Sequence, residues 1–122
     1  STAAVQRRIA AMERSGVILR NVAIVDPDQV GLGVTSIVEV NLVDEKAARV
    51  DKAKQLFRDA PEVQQCYYVT GGRSFIMLIV APDMRSYEAI TRRLFAENES
   101  VASYHSYLAL NRVKAGMELV IP

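Results

Sequence analysis

Hydrophobic positions in this chain change period several times, and each change marks an element. Val34, Val38, Val40 and Leu42 fall on one face of a run to Val43, the two-residue period of a half-buried strand. Asp44 follows as a candidate N-cap, and Ala47, Val50, Ala53 and Phe57 then share one helical face up to Ala60, where Pro61 stops the helix. Val63–Thr70 is rich in β-formers, Gly71-Gly72 reads as a turn, and Phe75–Ala81 is apolar throughout. Asp83 opens a second helix to about Glu97, with Met84, Tyr87, Ile90 and Leu94 facing inward. A last strand is expected over about Ser103–Val113, and Leu119–Ile121 could add a short edge strand.

Ahead of this body stands a smaller head. Ser1 or Thr2 caps a helix whose Val5, Ile9 and Met12 make one stripe, and Gly16 ends it. Val17–Val25 reads as an extended strand and Asp26-Pro27-Asp28 as a turn. Gly31 and Gly33 bracket a flexible connection, so residues 1–31 are expected to form the head and 32–122 the body.

A body ordered strand, helix, strand, strand, helix, strand has an economical α+β solution. It is a ferredoxin-like βαββαβ antiparallel sheet with both helices on one face, preceded here by a lone helix and a strand. The first and third strands are then central, and the third, Phe75–Ala81, is apolar toward both faces. Helices cover only one of those faces. A second copy of the sheet covers the other, which makes the protein a dimer, with Met77 and Ile79 expected to face the partner.

Composition narrows the picture. In 122 residues, half apolar and 24% charged, a core forms without disulfide or metal staples. A single cysteine, Cys66, allows no intrachain disulfide and fits a reducing cytoplasm; no apolar run is long enough to span a membrane. Net charge is +1, but residues 1–20 carry Arg7, Arg8, Arg14 and Arg20 against Glu13, a local +3, leaving −2 for the rest. DNA contact, if any, belongs to the head; four arginines on a short helix are also an ordinary solvated face. One histidine, His105, and one cysteine make no metal site, and no catalytic triad or phosphate loop can be assembled. No catalytic residue, cofactor or metal is expected.

Two stretches carry a family likeness. Val5-Gln6-Arg7-Arg8-Ile9 through Met12-Glu13 to Gly16-Val17-Ile18 resembles V-x-R-R-I-x-x-L-E-x-x-G-V-I, a recognition helix with the strand leading out of a helix-turn-helix domain. Cys66-Tyr67-Tyr68-Val69-Thr70-Gly71 resembles the hairpin C-Y-x-V-T-G-x-x-D-Y, and Asn111-Arg112-Val113-Lys114 with Leu119-Val120-Ile121 is a similar ending. Both patterns, in this order, are those of the leucine-responsive/asparagine-regulator (Lrp/AsnC) transcription regulators. The resemblance implies an ACT-like regulatory domain that binds a small amino acid or related metabolite and assembles as a homodimer, then as a tetramer or octamer. It also implies DNA binding through Gln6, Arg7 and Arg8, since arginine reads guanine edges or phosphates and glutamine pairs with adenine. An ion pair of Arg8 within the protein is the competing expectation.

The family's two helices ahead of the recognition helix are not in these 122 residues, so weak or no DNA binding is expected of this chain alone. Effector contacts are expected from Thr70, Gly71, Gly72, Arg73 and Ser74, with Tyr104 and Ser106 close by. A glycine turn frees backbone N–H groups for a carboxylate, although Gly71-Gly72 makes a tight turn whatever the function. Ser74 stands where the family hairpin carries aspartate, so lysine and arginine are expected to bind poorly. Two other classes remain open: a stand-alone binding module that co-assembles with full-length relatives, and a small dimeric ferredoxin-like enzyme.

Overall fold

A computed structural model describes all residues, 1–122. Strands β1 (Val34–Leu42), β2 (Val63–Tyr68), β3 (Phe75–Ala81) and β4 (Val101–Leu108) form one antiparallel sheet in the order β2-β3-β1-β4. That is the expected ferredoxin-like sheet, with the first and third strands central. Helix α1 spans Thr2–Ser15, α2 spans Ala47–Asp59 and α3 spans Met84–Thr91, with a π turn over Arg92–Ala96.

One side of the sheet is packed. Val38, Val40 and Leu42 of β1 and Phe75, Met77, Ile79 and Ala81 of β3 are buried with Val50, Ala53 and Phe57 of α2 and Tyr87 and Ile90 of α3. Phe57 ties three elements together, meeting Phe75 edge-on at 5.2 Å and Phe95 at 5.8 Å. Beneath α3 the Tyr87 hydroxyl donates to Ser36 Oγ at 2.8 Å and shares a hydrogen bond with Ser106 Oγ at 2.6 Å. This satisfies a serine with no solvent exposure, as burial requires.

The other side carries no helix. Its residues lie between the packed ones along the strands: Ile76, Leu78 and Val80 on β3, Ile37 and Glu39 on β1, Tyr67 on β2, His105 and Tyr107 on β4. Here the expectation for Met77 and Ile79 is corrected. Both point into the helix-covered core, at 1% and 0% exposure, and the uncovered face is presented by Ile76, Leu78 and Val80. A run apolar at every position contains no alternation from which its facing could be read.

Boundaries shift in the expected places. Asp44 does not cap α2; it accepts from the Lys46 N–H at 3.0 Å in the turn before the helix, which begins at Ala47. Asp83 does cap α3, accepting from Ser86 N–H at 2.7 Å. Met84 in the first turn of α3 points outward, and Phe95 takes the inward place at the far end. The second helix closes with a π turn in which Glu97 N–H donates to the Arg92 carbonyl at 2.9 Å. β4 ends at Leu108, short of the expected Val113, because β1, its ladder partner, begins at Val34.

Ser1 caps α1 through Ala4 N–H, and Gly16 ends it in the left-handed conformation, as the sequence suggests. No residue of α1 is buried. The expected strand at Val17–Val25 does not form: Val17 and Ile18 lie in a bend, 19–25 have no regular structure, and Leu119–Ile121 likewise joins no sheet. A strand needs a ladder partner, and neither segment forms a backbone hydrogen bond to an edge of this sheet. These segments hold Leu19, Ile24, Leu119, Val120 and Ile121 at 80% exposure or more. Arg112, beyond β4, donates to Thr35 Oγ1 at 3.3 Å and pairs with Asp28 at 3.5 Å.

Candidate ligand-binding site

The hairpin between β2 and β3 gathers most of the expected effector residues. Gly71 and Gly72 both have positive φ, 101° and 89°, so the turn is open to glycine at little strain. Val69 N–H donates to the Ser74 carbonyl at 3.0 Å and closes the hairpin. Thr70, Gly71, Gly72 and Arg73 are exposed, and their backbone N–H groups donate to no acceptor within the chain. A turn of this kind holds donors ready for an anion. The Arg73 guanidinium points away to the uncovered face, 2.9 Å from Glu39.

Ser74 has a different place. It is 3% exposed, its N–H donates to the Val40 carbonyl at 3.0 Å, and its hydroxyl accepts from Leu42 N–H at 3.0 Å while donating to the Glu45 carboxylate. The second Glu45 oxygen accepts from the Tyr68 hydroxyl at 2.7 Å. That hydrogen bond holds the Tyr68 hydroxyl protonated, raising its pKa above the ordinary tyrosine value. Glu45, from the loop before α2, is the functional candidate that sequence reasoning missed. It lies 29 residues from Ser74, and no local pattern connects them.

Tyr104 and Ser106 are not brought to the turn. Tyr104 stacks on Phe95 at 5.0 Å, and Ser106 is bonded to Tyr87 beneath α3. Strand β1 separates both from the hairpin. A concavity of about 710 Å³ also lies elsewhere, lined by residues from 24–28 and 109–115 with Gly33, Thr35 and Gln64. Its walls come mostly from the two segments that flank the sheet in sequence.

Gln6, Arg7 and Arg8 are exposed on α1, and none of the five ion pairs includes Arg7 or Arg8, so the internal pairing of Arg8 does not occur. His105 is exposed, its ring 4.6 Å from Tyr107, and no group of acidic, histidine or cysteine side chains could hold a metal. Burial pushes the half-buried Cys66 thiol up to about 11, which makes it a packing group rather than a nucleophile. No helix is long and apolar enough to cross a membrane.

The fold and hairpin define an antiparallel α+β sheet domain with one uncovered face, an open glycine turn and a basic helix ahead of it. Comparison with known proteins gives the family. The sequence profile described as the Lrp/AsnC ligand binding domain matches residues 35–119. An uncharacterised HTH-type transcriptional regulator of Sinorhizobium fredii is 44% identical over 115 residues, 94% of this chain and 68% of that protein. Among solved structures, an AsnC family transcriptional regulator of Agrobacterium tumefaciens matches with TM-score 0.86 at 31% identity, covering 98% of this chain and 78% of that one. A transcriptional regulator of Neisseria meningitidis in complex with L-methionine matches with TM-score 0.83 at 26% identity, covering 98% and 77%. The chain belongs to the Lrp/AsnC family of transcription regulators and is not an enzyme.

Proposed function

We propose that this chain senses a small amino acid at the Thr70–Ser74 hairpin and converts its binding into a change of assembly that controls DNA binding in the cytoplasm. The observation that carries this reading is the hairpin itself, where four successive backbone N–H groups, from Thr70 to Arg73, have no partner in the chain. They suit the carboxylate of an amino acid. The methionine bound by the Neisseria regulator supports that ligand class. Tyr104 enters the site only from a neighbouring copy, because β1 stands between it and the hairpin, and Ser106, bonded to Tyr87 beneath α3, takes no part.

Assembly begins with a homodimer, built by packing the uncovered sheet face on its counterpart and extending to a tetramer or octamer. Ile37, Ile76, Leu78 and Val80 supply its apolar centre, and the unpaired segments 17–25 and 109–122 extend the contact. Residues 1–31 act as the DNA-proximal head, with Gln6, Arg7 and Arg8 facing the operator, and 32–122 as the assembly body. A thermal-shift screen of the twenty L-amino acids tests the reading. At least one is expected to raise Tm and to change the sedimentation coefficient. No shift with any of them overturns it.

A further inference from the structure

Glu45 is a fixed carboxylate without a cation. Ser74 and Tyr68 hydroxyls hold its two oxygens, and none of the five ion pairs in the protein includes it. Arg49 is paired with Asp44 and Arg73 with Glu39, Lys54 lies over the Tyr68 ring, 5.0 Å from its centroid, and the adjacent Lys46 is exposed and forms no ion pair. An ionised carboxylate has about four acceptor positions, so two hydroxyl donors leave room for further donors. The residue is exposed, and Ser74, its tether, is the second residue after the Gly71-Gly72 turn with its unpartnered N–H groups.

The hairpin therefore presents donors for an anion at its tip and a fixed, unpaired anion at its base. We infer that Glu45 receives the ammonium group of the amino acid bound at the hairpin and selects for a free α-amine. This rests on the hairpin being the effector site. It also removes the ground for expecting lysine and arginine to bind poorly: Ser74 brings no negative charge, but its hydroxyl holds one in place. Preorganisation by two hydroxyls matters, because a floppy surface glutamate would lose side-chain entropy on pairing and gain little.

The competing role is structural, with Glu45 only fastening the hairpin to the loop before α2. The two are separated by isothermal titration of the full chain with the twenty L-amino acids and the N-acetyl derivative of each one that binds. Wild type is expected to prefer the free amine over its N-acetyl form by about tenfold to hundredfold, as for a charge-assisted hydrogen bond. In Glu45→Gln that preference should collapse, with affinity for the N-acetyl form little changed. Tyr68→Phe removes one tether and keeps the charge, so it should weaken the preference without abolishing it. An amino acid that binds wild type and Glu45→Gln equally well, or a preference that survives in Glu45→Gln, overturns the inference and leaves the hairpin site standing. Binding of none of the twenty to wild type overturns both.

Discussion

Ile37 of β1 and Leu78 of β3 stand opposite one another in the antiparallel ladder, on the sheet face that no helix covers. Met77, one position along, lies in the core at 1% exposure. Neighbouring positions on β3 thus have opposite duties, and one substitution at each should separate assembly from folding.

Leu78→Asp is expected to leave a folded domain that no longer dimerises, since it sets an unpaired charge against its symmetry mate. Met77→Asp should unfold the chain, because its charge is buried between sheet and helices. Sedimentation velocity with far-UV circular dichroism reads both. A Leu78→Asp protein that remains dimeric would place the interface elsewhere.

The shared hydroxyl of Tyr87 gives a second test. Tyr87→Phe leaves the fully buried Ser36 hydroxyl without its partner, which should cost about 1–3 kcal/mol in urea unfolding at fixed protein concentration. Dimerisation should not change, since Tyr87 lies on the helix side.

How much of this was legible in the sequence differs by scale. Periodicity, helped at α3 by the Asp83 cap, places the four strands and the two body helices, because those signals are local. The facing of β3 was not legible, since Phe75–Ala81 is apolar at every position and only its register with β1 decides which side chains enter the core. Val17–Val25 has strand-like composition, yet composition alone makes no ladder and the segment joins no sheet. The glycine hairpin announces itself through Gly71-Gly72. Glu45 does not, because its place beside Ser74 is made by the return of β3 against β1.

Acid sensitivity follows from the Glu62–Arg93 pair. The Arg93 guanidinium, 2.6 Å from a Glu62 oxygen, holds that carboxyl below its ordinary value of 4.5. A depressed carboxyl adds stability above its unfolded pKa, and the contribution disappears as pH falls through the folded value. The Tm difference between wild type and Glu62→Gln should therefore be constant above about pH 5.5 and shrink toward zero at lower pH. The exposure of Arg93 keeps the difference small. A difference that grows on acidification would contradict the pairing.

DNA binding by these 122 residues should be weak and without sequence preference. Helix α1 carries Gln6, Arg7 and Arg8 but buries no residue against anything that would fix it in a groove. Residual affinity should come from arginine–phosphate contacts and fall steeply between 50 and 200 mM salt, on the order of tenfold or more. Gel shifts showing tight, salt-resistant, selective binding would contradict this.

The central claim, that the glycine hairpin binds an amino acid and thereby alters assembly, is tested most directly by Gly71→Val. A side chain there meets no atom within 4 Å, so the cost is confined to the backbone, which holds a φ of 101° that valine resists. Wild type and variant are titrated calorimetrically with the amino acid that gives the largest thermal shift, and both are sedimented with and without it. The variant is expected to remain a dimer, to bind at least tenfold more weakly and to lose the ligand-dependent change in sedimentation. Unchanged affinity and an unchanged assembly response in Gly71→Val would move the site away from the hairpin.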